Sequence, residues 1–185
     1  MMHHGAITDH ALVKSYLGIY SIILKLFAPD ITIGAKDCET YADLYSTTCH
    51  ELAHASHFVK VGKAYWDKFI VYILKAFITE NGIAYGSGTS PDAGYCEVCE
   101  MWAYYMQNSL YNDRYGGEMP TAGSSYWFHP QIFRYLDERG MTRSEIFSAL
   151  TSAVTDRAKL KAKLLELYPD KSVMINQAFD RYEES

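Results

Sequence analysis

His50 and His54, in the stretch STTCHELAHASHF, stand four residues apart within a pattern that reads as helix from about Glu39 to a stop at Gly62. On a helix that spacing sets both imidazoles on one face, about one turn (~5–6 Å) from each other, so two nitrogens can converge on a single ion. The neighbouring Thr47, Thr48, Leu52, Ala53 and Ala55 are uncharged, as a buried helix requires. Glu51 points roughly a quarter-turn aside. It is badly placed to be a ligand but well placed to touch a water held by the ion.

The rest of the chain supplies mostly helices around this one. A second helical stretch, KAYWDKFIVYILKAFITE, halts at Asn81-Gly82. The loop NGIAYGSGTSPDAGY follows, with Gly82, Gly86, Gly88 and Pro91 to bend it, and can bring distant helices together. CEVCEMWAYYMQNSLYNDRY is a third helix, ending at Gly116-Gly117. C-terminal helices are expected near 130–139, 142–154, 156–167 and 172–182, the second opened by a capping-box spacing, Thr142 to Glu145. Before all of these, Ile31-Thr32-Ile33 reads as a short strand ending at Gly34. The expected fold is therefore mainly α, or α+β with minimal strand. It forms one domain over 1–185: an N-terminal segment (1–38), a helical core that carries His50 and His54 (39–116) and a C-terminal helical subdomain (130–185).

Composition narrows the partners. With 185 residues and 49% hydrophobic content the chain can bury a core of its own. A net charge of −5 leaves no basic field to hold a phosphate backbone, so nucleic acid is not expected. The apolar run YLGIYSIILKLF is interrupted by Lys25 and too short to span a bilayer. No secretory signal is visible before Lys14. Four cysteines (Cys38, Cys49, Cys96 and Cys99) permit two disulfides that a domain of this size does not need. The compartment stays open, a secreted or periplasmic location being expected over a cytoplasmic one; so does the oligomeric state.

His50-Glu51-x-x-His54 is the His-Glu-x-x-His arrangement of zinc metallopeptidases: two ligands and a general base. Zinc lowers the pKa of its water to about 7, and the adjacent carboxylate takes the proton as the water attacks a carbonyl. Such a site needs a third protein ligand. His57 lies a further turn along and cannot reach the same ion. The HExxHxxGxxH subclass is excluded too, because His57 occupies the glycine's place and Lys60 the third histidine's. A glutamate from the third helix, Glu97 or Glu100, is the better source: two acids inside an apolar, aromatic helix with no lysine or arginine before Arg114 are expensive to bury without a cation opposite. Sulfur from Cys96-Glu97-Val98-Cys99 has no second close pair to complete a zinc finger, and buried structural thiols are the expectation. A di-iron bundle would need a second Glu-x-x-His, which the sequence lacks.

HELAHASHF resembles the active-site helix of the gluzincins, the glutamate-zinc branch of the HExxH metallopeptidases. EMWAYYM is similar to the Glu-x-(Trp/Phe)-Ala stretch that several of their subfamilies place on the ligand helix. The resemblance implies a zincin-like core, one Zn2+ per chain held by His50, His54 and Glu100 (Glu97 in reserve), and a peptide or protein substrate. The Asn-Glu-x-x-Ser-Asp signature of thermolysin-type members is absent, Tyr104 standing four residues past Glu100, so no subfamily is implied. Family members also stabilise the oxyanion with a tyrosine or histidine downstream of the third ligand, which points to Tyr126 or His129 in SSYWFHP. The alternative is that YWFHP is an aromatic plug ahead of the C-terminal helices. The expected function is a zinc-dependent hydrolase that cleaves peptide bonds with Glu51 as base. The competing expectation is a catalytically degenerate, metal-containing binding or scaffold domain that retains the HExxH helix.

Overall fold

The computed structural model describes residues 38–80, 82–83, 85–117 and 126–182, and every regular element among them is helical. The mainly α expectation holds for these residues. The strand expected at Ile31–Ile33, with the rest of 1–37, lies outside them.

The first helix, α1 (Tyr41–Val61), begins at a capping box. Thr40 Oγ1 accepts from the Asp43 amide at 3.1 Å, and Asp43 Oδ2 accepts from the Thr40 amide at 2.9 Å. Two donors at the capping turn are thereby satisfied. The helix ends at Gly62, whose φ of 83° lies in the left-handed region that residues with a Cβ disfavour. The same glycine opens α2 (Lys63–Thr79), so one residue makes the whole turn.

The long α3 (Ala93–Tyr115) is the centre of the molecule. Residues 96–103 are all buried, which fits a sequence with no single apolar stripe. It packs against α1, α2, α4 (Gln131–Asp137) and α6 (Arg157–Leu167). Its register against α1 follows from the side-chain pairs. Tyr45 reaches Leu110, His50 reaches Gln107, His54 reaches Glu100 and His57 reaches Cys99. Partner numbers fall as α1 advances, so the two helices run antiparallel.

One face of α3 joins α1 and α2 in a core built on Tyr65, Trp66, Phe69, Ile70, Cys96 and Cys99. The other face closes a larger core with the C-terminal helices, through Trp102, Tyr105, Phe133, Leu136, Ile146 and Phe179. These helices are α4, α5 (Arg143–Ala149), α6 and α7 (Ser172–Asp180), with a 3₁₀ turn at Pro169–Lys171 before the last. The capping box that starts α5 is present: Thr142 Oγ1 accepts from the Glu145 amide and Glu145 Oε2 from the Thr142 amide.

α5 is shorter than the 142–154 expected. It stops at Ala149, and turns carry Leu150 and Val154 into the core separately. The bend lets the following residues descend onto α3. There a Cβ on Gly94 would lie 2.4 Å from the Thr155 carbonyl oxygen, so the two backbones meet only because residue 94 has no side chain. The contact is tied by Arg157, whose Nε lies 3.2 Å from Glu97 Oε1 and whose amide donates to Glu97 Oε2 at 3.3 Å.

Candidate metal centre

The antiparallel register brings His50 and His54 of α1 opposite Glu100 of α3. The two Nε2 atoms stand 3.1 Å apart; His50 Nε2 is 3.6 Å from Glu100 Oε2 and His54 Nε2 is 3.4 Å from Glu100 Oε1. A tetrahedral cation with bonds of 2.0–2.1 Å has ligand atoms about 3.3 Å apart along each edge. The three measured separations bracket that value. This trio is the only His/Cys/Asp/Glu group among the described residues whose ligand atoms converge in this way, and it could hold a metal ion.

Both histidines are held from outside the trio. His50 Nδ1–H donates to Gln107 Oε1 at 3.0 Å, and Gln107 Nε2 in turn donates to Ser46 Oγ at 2.8 Å. A proton on Nδ1 leaves the Nε2 lone pair for the ion. Tyr104 stands edge-on to the His50 ring with centroids 4.6 Å apart. From α2, Trp66 meets the His54 ring edge-on at 5.5 Å and Phe69 lies against it at 6.2 Å.

The environment is dry. His50 is 5%, His54 1%, Glu51 1% and Glu100 2% exposed. Burial pushes the Glu100 carboxyl up to about 7, against the pull of His50. Burial draws the His50 imidazole down, with His54 adding to the effect. Each group resists its own charge because burial strips it of the water that would solvate that charge. A divalent cation would reverse the first tendency by favouring the carboxylate and reinforce the second, because a ligand imidazole must stay unprotonated. Glu51 does not belong to the convergent trio, as its position on the helix predicts. Its carboxyl is also raised to about 7, first by burial and then by the nearby charge of Glu100.

The remaining candidates fall elsewhere. Glu97, the reserve ligand, turns away from the histidines to bind Arg157, so its role is to dock the C-terminal helices. His57 is buried one turn beyond the trio, its Nδ1 3.5 Å from the Cys99 thiol. Cys49, Cys96 and Cys99 are buried free thiols and Cys38 is a partly buried one. Tyr126 stacks on Phe128 at 5.1 Å and meets Tyr104 at 5.7 Å, which connects it through one ring to His50. His129 stacks on Tyr182 at 5.7 Å.

Sequence reasoning missed Gln107, Ser46 and Tyr104 as parts of this centre. The signal was there: Ser46 is one turn before His50, and Tyr104 and Gln107 follow Glu100 by four and seven, on the same face of their helix. Comparisons of the chain with protein families, with curated proteins and with solved structures find no match.

Proposed function

We propose that this chain is a zinc-dependent hydrolase of the gluzincin type that cleaves peptide bonds, with His50, His54 and Glu100 as the zinc ligands. One observation carries the reading: two buried imidazoles and a buried carboxylate converge while a second buried carboxyl, Glu51, stays outside the ligand set. A purely structural site has no use for that extra acid.

Zinc bound there would act as a Lewis acid, polarising a substrate carbonyl and making water acidic. The chain's own groups do the rest. Glu51 Oε accepts the proton that the attacking water loses and delivers it to the leaving amine. The raised affinity of that carboxyl for protons suits both halves of the task. Tyr126 is the proposed oxyanion donor, because its ring is continuous with Tyr104 and hence with His50, whereas His129 packs on Tyr182. Trp66 and Phe69 keep bulk water from the back of His54.

A second reading, a metal-containing binding domain without turnover, is favoured by the near-complete burial of the same four residues. Glu51→Gln separates the two. Elemental analysis of the purified wild type and variant is expected to give about one zinc per chain in each. Hydrolysis of an unstructured protein substrate is expected in the wild type, sensitive to chelator, and lost in the variant. A zinc-loaded wild type that is as inert as the variant would establish the binding domain instead.

A further inference from the structure

The amide of Gln107 is an unusual partner for a ligand histidine. Ligand imidazoles commonly donate their second N–H to a carboxylate or a main-chain carbonyl. Here the acceptor is a neutral side chain that is itself 9% exposed and whose orientation is locked, because Nε2 donates to Ser46 Oγ at 2.8 Å and thereby turns Oε1 toward His50. Ser46 lies four residues before His50 on α1 and Gln107 seven after Glu100 on α3. The bridge thus spans the same two helices that supply the ligands.

We infer that Gln107, oriented by Ser46, is the positioning residue of the metal centre: it fixes His50 with its proton on Nδ1 and its Nε2 lone pair toward the ion, without adding charge. This rests on the zinc reading above. The absence of charge matters because Glu100 and Glu51 already place two carboxyl groups in this buried region. A carboxylate at 107 would be a third buried negative group with no cation of its own, which is costly in a dry site. The amide orients the ligand as a carboxylate would and leaves the balance intact.

The test is cobalt binding, read by the visible absorption of the substituted site and by competition with a chelator, on wild type, Gln107→Leu, Gln107→Glu and Ser46→Ala. Thermal unfolding of each metal-free protein is measured alongside. Removing such an outer partner typically weakens metal binding about 10–100-fold. Gln107→Leu is expected to show that loss, with an altered cobalt spectrum, and Ser46→Ala a smaller one. Gln107→Glu retains an acceptor for Nδ1–H, so it is expected to bind at least as tightly as wild type while its metal-free form melts lower. The inference is overturned if folded Gln107→Leu binds cobalt like wild type, or if Gln107→Glu loses as much affinity as Gln107→Leu. If the wild type itself takes up no cobalt, it is the zinc reading that fails, and the two failures are told apart by that one control.

Discussion

Glu97 and Glu100 are one turn apart on the same helix, yet Glu97 pairs with Arg157 while Glu100 is the proposed ligand, and thermal unfolding with and without zinc can separate them. Glu97→Ala removes the acceptor of both the Arg157 guanidinium and its amide. Taking one partner from a fully buried pair costs about 3–5 kcal/mol. The Arg157 side chain is 27% exposed and burial raises the Glu97 carboxyl despite the pull of Arg157, so the loss is reduced to about 1–3 kcal/mol. In a domain of this size 1 kcal/mol shifts Tm by about 2–4 °C, giving a fall of about 2–12 °C. That fall should be the same in chelator and in zinc.

Zinc at a thousand times its Kd adds about 4 kcal/mol, or about 8–16 °C, to any variant that still binds it. Glu97→Ala should keep this increment in full. Glu100→Ala should behave in reverse: in chelator the packing lost is offset by removing a buried carboxyl that resists ionisation, so any fall is smaller than that of Glu97→Ala, and there is almost no response to zinc. Differential scanning calorimetry of the three proteins decides the matter. A zinc increment that survives Glu100→Ala and vanishes in Glu97→Ala would refute the assignment of the third ligand and the docking role together.

Two other substitutions probe the frame around the centre. Gly94→Ala would drive a Cβ against the Thr155 carbonyl; overpacking of this kind costs about 1–3 kcal/mol, and urea unfolding should show it as a lower midpoint at unchanged slope. Glu145 accepts from Lys171 Nζ at 2.6 Å and from the Thr142 amide, which hold its carboxyl down to about 2. Because the folded value lies below the unfolded one of about 4.3, its contribution is complete above that pH and is lost as pH falls toward 2. Glu145→Gln should therefore lower Tm at pH 7 and match wild type near pH 2; a difference that persists at pH 2 would show that the cap does not act through charge.

Much of the centre was legible because it is local. The spacing of His50 and His54 requires no knowledge of the fold, and an acid on an apolar helix without basic neighbours advertises a missing cation. The choice between Glu97 and Glu100 was not legible from spacing, since the group that claims Glu97 is Arg157, sixty residues away and on another helix. The start of α5 could be read from Thr142 and Glu145, whereas its end could not. No glycine or proline marks Ala149, and the chain leaves the helix there to reach Gly94. Gln107 was hidden by its chemistry: an amide on a helix looks like a surface residue until the register with Ser46 is known.

The burial of α3 on every side from 96 to 103 has a consequence for how such a chain can diversify. This segment has no free face on which change is cheap, so a shift made to suit either neighbouring core would carry Glu100 with it. Variation around the centre would have to come from the connecting segments near Tyr85 and Tyr126, with the keystone rod left as it stands.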